Sequence, residues 1–86
     1  MLLEIVTPDQ KVFQGEVNGV KVPGSKEKGS FEVLENHAPI ISTLEKGTVR
    51  ITTAGGAQTY VDIDSGVIEV LNNKVVILAE SAIPRA

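Results

Sequence analysis

Cysteine and tryptophan are absent from this 86-residue sequence, histidine occurs once, as His37, and the aromatic residues are Phe13, Phe31 and Tyr60. Without cysteine there is no disulfide, no thiolate metal site and no thiol nucleophile, so stability has to come from packing, and the composition is compatible with the cytosol. A platform for single-stranded nucleic acid needs aromatic rings for base stacking and clustered cations for the phosphates. Here the eight Lys and Arg are scattered from Lys11 to Arg85, under a net charge of −3. Nucleic-acid binding is therefore not expected, and the same scatter argues against direct binding to anionic lipid. No stretch approaches the roughly 20 apolar residues of a membrane-spanning helix. The opening Met1-Leu2-Leu3-Glu4 meets an acid at once and has neither the basic start nor the apolar core of a secretory signal, so a cytoplasmic address is expected.

What the chain does have is β-forming residues cut at short intervals. Pro8-Asp9, Gly15, Pro23-Gly24, Gly29, Pro39, Gly47, Gly55-Gly56, Ser65-Gly66 and Asn72-Asn73 punctuate it and leave no room for long helices. Between these marks strands are predicted over residues 2–6, 11–13, 16–22, 31–34, 40–43, 48–53, 58–63, 67–71 and 74–79, a series of nine or ten. Parallel pairing would need helical crossovers that the spacing does not allow. The expectation is thus an all-β fold, a ten-stranded antiparallel β-sandwich of two five-stranded sheets, forming a single domain over residues 1–86. Gly55-Gly56 and Asn72-Asn73 tolerate the positive φ of tight hairpin turns and are read as such. The last four residues, 83–86, read as a fraying end or the start of a linker.

Side-chain alternation carries further information. Val49 and Ile51 alternate with Arg50 and Thr52, the pattern of a strand with one face in a core and one in water. In Val75-Val76-Ile77-Leu78 both faces are apolar; in the preceding strand Ile68 and Val70 share one face, while Val67 and Leu71 share the other with Glu69. A two-sheet sandwich has one interior. The surplus apolar face must be covered either by the chain's own termini or by a partner.

Candidate chemistry is sparse. Residues 24–29 have the Gly-x4-Gly spacing of a phosphate cradle but lack the Lys and Ser/Thr that must follow it. A serine hydrolase would have to use His37 as base, with Ser42 or Ser65 as nucleophile and Asp62 or Asp64 as orienting acid, yet no nucleophile-elbow motif is present. A metal site built on His37 with Glu35 and Asp64 lacks ligand spacing, and Glu32 and Glu35 fall on opposite faces of a strand, which separates that acid pair. No catalytic residue, metal ligand or cofactor site is therefore assigned. Pro39 holds Ala38 extended and cannot donate to a ladder, so the segment enters its strand at an edge and presents His37 at a loop–strand junction. There His37 either fixes its own turn by hydrogen bonding or serves as a contact residue for a protein partner, and the two roles are compatible.

Taken together, "LEIVTPDQKVFQGEV" (residues 3 to 17), "VKVPGS" (20 to 25), "VLENHAPIISTLEKGTVRI" (33 to 51) and "SGVIEVLNNKVVILAESAI" (65 to 83) resemble the N-terminal β-sandwich domain of the epsilon subunit of rotary F-type ATP synthase. The resemblance runs over nearly the whole chain. Its anchors are the Pro-Gly after the third strand, His-Ala-Pro followed by Ser-Thr-Leu and Gly47, and the Gly-x-x-Glu-Val to Leu-Ala-Glu-Ser-Ala ending at Ala82.

The resemblance implies a non-catalytic central-stalk subunit that packs on the gamma subunit, stands on the membrane c-ring and helps couple proton translocation to ATP synthesis. Its place would be the cytoplasmic face of the bacterial inner membrane, peripheral through the complex. It also implies protein-binding roles: Gly29, Ser30, Phe31 and Glu32 toward the c-ring, and His37, Ala38 and Pro39 near gamma. The chain departs from the family pattern at Ser30, Glu32, Glu35 and Ser65, and its Lys26-Glu27-Lys28 loop is about two residues longer than usual. Family members usually continue into a helical hairpin that can inhibit ATP hydrolysis or bind ATP; these 86 residues stop before it, and neither activity is assigned to them. The alternative is a free-standing β-sandwich protein-binding module, and a more distant one is the small hydrolase.

Overall fold

The computed structural model describes residues 1–27 and 29–85 and is built of strands and turns. In chain order the strands are β1 (Leu2–Val6), β2 (Lys11–Val22), β3 (Phe31–Leu34), β4 (Ile40–Leu44), β5 (Gly47–Thr53), β6 (Gln58–Ile63), β7 (Gly66–Leu71), β8 (Lys74–Ala79) and β9 (Ala82–Pro84). The radius of gyration is 11.5 Å.

Two sheets share one long strand. The N-terminal half of β2 closes a first sheet of order β4-β7-β8-β1-β2, and its C-terminal half belongs to a second sheet of order β3-β2-β5-β6-β9. Nine strands thus give five strands to each sheet, which is the expected ten-stranded sandwich with one strand counted twice. The break expected between residues 13 and 16 does not occur, because Gly15 stays in the ladder opposite Leu3. Instead the register shifts between Val17 and Gly19, where β2 leaves one sheet for the other. Pairing is antiparallel with one exception: β1 and β8 run parallel, Leu3 beside Val75 and Ile5 beside Ile77. These two strands lie far apart in sequence and are joined through the rest of the sandwich, so no local helical crossover is required.

The two expected hairpins are present. Asn72 and Asn73 take φ of 52° and 60° between β7 and β8, and Gly56 takes 90° between β5 and β6. Asparagine reaches this region at low cost because its short polar side chain bonds locally. The C-terminal end is a correction. Ala82–Pro84 does not fray but forms β9, with Asp62 opposite Ile83, and the Arg85 N–H donates to the Tyr60 carbonyl at 2.9 Å. Ala86 lies outside the described residues.

The core lies between the inner faces. Leu3 and Ile5 of β1, Ile68 and Val70 of β7, and Val75 and Ile77 of β8 meet Val20, Val22, Val33, Val49, Ile51, Val61 and Ile63 of the second sheet, all buried. Each such side chain contributes about 1.5–3 kcal/mol on burial.

Candidate interaction surface

The outer face of the first sheet follows from its register. Moving across it, Thr43, Val67, Leu78 and Val6 form one row, Ile41, Glu69, Val76 and Glu4 the next, and Leu71, Lys74 and Leu2 a third. Ile41 is 74% exposed, Leu78 55%, Leu71 51% and Val67 37%. Among the described residues nothing covers this face, and β9 pairs with the edge of the other sheet. At one end of the face an open groove of about 620 Å³ runs between residues 6–8, the start of β7 and the end of β8, lined by Val6, Pro8, Val67, Leu78 and Glu80 among others.

The outer face of the second sheet is different. Its exposed Leu34, Tyr60 and Ile83 stand among Glu32, Arg50, Lys21, Thr48 and Asp62. Arg50 pairs with Glu32 at 3.6 Å, and Arg85 donates from Nε to Asp62 Oδ2 at 2.8 Å while Thr48 donates to Asp62 Oδ1 at 2.7 Å. The Arg85 guanidinium first, and the Thr48 hydroxyl second, hold the Asp62 carboxyl below its ordinary value.

The seven residues expected to bind partners fall into two groups that β3 keeps apart. Gly29 and Ser30 precede it, exposed, with Gly29 at φ 70° and its N–H donating to the Ser25 carbonyl at 2.8 Å. This loop closes tightly on Gly24, where a Cβ would lie 2.0 Å from the Gly29 carbonyl oxygen, so any side chain there would force the loop open. The Phe31 ring is half-buried and packs on the core, leaving Gly29, Ser30 and Glu32 as the exposed members of the group. Lys28 lies outside the described residues. His37, Ala38 and Pro39 follow β3 at its other end and lead into the edge strand β4.

His37 fixes its own turn: its N–H donates to the Leu34 carbonyl at 3.2 Å, and ring Nδ1 lies 2.7 Å from the Ala38 carbonyl. Ser42 donates to the Thr43 carbonyl and Asp62 faces Thr48 and Arg85, so none of these partners His37. Among the described residues no group of three or more His, Asp and Glu could hold a metal ion.

The turn also has an anchor that sequence reasoning misses. The Met1 ammonium donates to Glu35 and to the Val17 carbonyl, Asn73 Nδ2 donates to Glu35 Oε2 at 2.9 Å, and the Asn36 N–H donates to Asn73 Oδ1 at 2.9 Å. The chain's amino group and then Asn73 hold the Glu35 carboxyl below its ordinary value. The only signal in the sequence is Glu35 itself; Asn73 comes from a hairpin turn 38 residues away.

A family model described as the ATP synthase, Delta/Epsilon chain, beta-sandwich domain matches residues 1–85. The chain belongs to this family. It is 41% identical to the ATP synthase epsilon chain of Salinibacter ruber, over 98% of this chain and 60% of that one. It is 40% identical to the epsilon chain of Chlorobaculum tepidum, over 91% and 86%. Against several curated relatives, the Salinibacter protein included, it spans less than two thirds of their length. The fold matches a chain in the mitochondrial ATP synthase of Euglena gracilis with a TM-score of 0.90 at 22% identity, over 98% of this chain and 52% of that one. It matches a chain in the central stalk and c-ring structure of Tetrahymena thermophila mitochondrial ATP synthase with a TM-score of 0.78 at 14% identity, over 95% and 64%.

Proposed function

We propose that this β-sandwich belongs to a subunit of the central stalk of an F-type ATP synthase, linking the gamma subunit to the membrane c-ring and coupling proton translocation to ATP synthesis. It works without catalytic residues of its own, catalysis residing on other chains. It sits peripherally at the cytoplasmic face of the bacterial inner membrane, held there through the complex.

The observation that carries this reading is the apolar outer face of the first sheet, where exposed Val67 and Leu78 are cross-strand neighbours and exposed Ile41 lies diagonal to Val67 and Leu71. Scattered exposed apolar residues are ordinary, but a contiguous set on three neighbouring strands marks a protein interface. A rotor joint has to transmit torque without slipping, and apolar packing supplies that stiffness. On this reading His37, Ala38 and Pro39 lie beside gamma at the β4 edge of the same sheet. Gly29, Ser30 and Glu32, with Phe31 bracing the loop from within, face the c-ring from the far end of β3.

Copurification tests the proposal. Mixed at micromolar concentration with the cognate gamma subunit, the chain forms a complex that survives gel filtration. An inert mixture would instead favour a free-standing binding module.

A further inference from the structure

The edge strand β9 has little in its own ladder or packing to hold it. It spans three residues and pairs with β6, and none of its side chains is fully buried: Ala82 is half-buried against the core, while Ile83 and Pro84 are exposed. By contrast, the edge strands β3 and β4 send Val33 and Leu44 into the core. In the ladder Asp62 lies opposite Ile83, and one step on the Arg85 N–H donates to the Tyr60 carbonyl at 2.9 Å. Successive residues of a strand turn their backbone groups to opposite sides, so Pro84 faces away from β6. There its missing N–H costs the ladder nothing and offers no donor to a further strand.

Side chains supply what the ladder lacks. Asp62 of β6 stands opposite Thr48 of β5 on one side and Ile83 of β9 on the other. Arg85 folds back over this row: its Nε donates to Asp62 Oδ2 at 2.8 Å and its Nη2 to Thr48 Oγ1 at 3.2 Å, and the Thr48 hydroxyl donates to Asp62 Oδ1 at 2.7 Å. Each of the three groups touches the other two, and both carboxylate oxygens are engaged. An isolated surface ion pair contributes little because two long side chains must be held in one geometry, whereas a closed ring fixes that geometry. Before β9 the chain crosses from one sheet to the other through long bonds, Glu80 N–H to the Ser65 carbonyl and Asp64 N–H to the Ser81 carbonyl, each 3.3 Å.

We propose that residues 82–85 form a strap that opens from the edge of β6 while the rest of the sandwich stays folded, and that the ring of Thr48, Asp62 and Arg85 is the clasp that keeps it shut. Opening costs a few edge hydrogen bonds, the clasp and the partial contact of Ala82, whereas unfolding the sandwich costs every core side chain. An open strap leaves the backbone groups of β6 at a bare edge able to take up another strand, so the clasp also guards the second sheet against edge-to-edge pairing. The inference stands apart from the stalk reading.

Native-state hydrogen exchange of the chain at neutral pH, followed by NMR in low concentrations of urea, tests both parts. The Arg85 amide exchanges faster than the amides of β1 and β8 and with little dependence on urea. Ile77→Val, in the core, speeds the β1 and β8 amides about threefold or more and leaves the Arg85 amide unchanged, because opening of the strap does not break the contacts of Ile77. Asp62→Asn and Thr48→Val each speed the Arg85 amide about fivefold. Lys21→Gln, an exposed residue outside the clasp, leaves it unchanged. An Arg85 amide that follows the core amides, both in urea and in the Ile77 variant, would show that the strap does not open by itself and would overturn the proposal. Independent opening at the wild-type rate in both clasp variants would leave β9 held by its ladder and overturn the role of the ring. Neither result bears on binding to gamma.

Discussion

Two partly exposed carboxylates, Glu35 and Asp62, hold their charge more firmly than ordinary acids because each accepts hydrogen bonds from a cation and from a neutral donor. Their ordinary values are 4.5 and 3.8, and the fold lowers both. A depressed carboxylate stabilises the fold above its unfolded pKa and loses that contribution as pH falls through the folded one. Stability should therefore decline as pH falls below about 4.5. Melting curves across this range check it: Glu35→Gln and Asp62→Asn should each lower stability modestly near neutrality and converge on the wild type in acid, which flattens part of the acid limb. Exposure to water keeps both effects modest. Glu35 matters beyond its charge, because through Asn73 it ties the His37 turn to the β7–β8 hairpin. Asn73→Ala loses both of those hydrogen bonds and places an alanine at φ 60°, so it should destabilise by about 2–3 kcal/mol in urea titration. Asn72→Gly, where the backbone alone is at stake, should be tolerated.

At the scale of the strand, β8 holds the sharpest contrast. Ile77 points into the core and Leu78, its neighbour, points to solvent. Ile77→Ala should cost about 2–5 kcal/mol, a large part of a total near 5–15 kcal/mol. Leu78→Ala should move stability by no more than about 0.5 kcal/mol, yet weaken the complex with gamma. Denaturant titration paired with a binding measurement separates the two. The surplus apolar face, though not which side enters the core, is legible in the sequence because Val75-Val76-Ile77-Leu78 leaves no polar side to a strand, and the Asn72-Asn73 turn is legible because few residue pairs accept positive φ twice in succession. Other features are not. Gly15 looks like a break but fits the ladder opposite Leu3, where pairing on both sides of it keeps β2 continuous. The strand at Ala82–Pro84 is too short and too rich in turn-like residues to show any period; its pairing to β6 is settled by tertiary contact. The groove cannot be read from sequence at all, since its walls come from four separate segments of the chain. Of the residues carried over by family resemblance, Phe31 serves the core, a distinction that strand alternation across an altered loop does not reveal.

At the scale of the whole molecule, the two outer faces of the sandwich are unlike. One shows a contiguous apolar field with unpaired acids near its groove; the other shows isolated apolar residues among ion pairs. A sandwich that had only to remain soluble would gain nothing from the first, and in the proposed stalk that face is where gamma docks. Methyl-resolved NMR of the chain, with its Ile, Leu and Val methyls labelled and the cognate gamma subunit added, tests this most directly. Docking on the first sheet predicts that the methyl signals of Ile41, Val67, Leu71 and Leu78 shift or broaden while those of Leu34 and Ile83 on the opposite sheet stay in place. Perturbation confined to Leu34 and Ile83, with the first sheet unmoved, would contradict it.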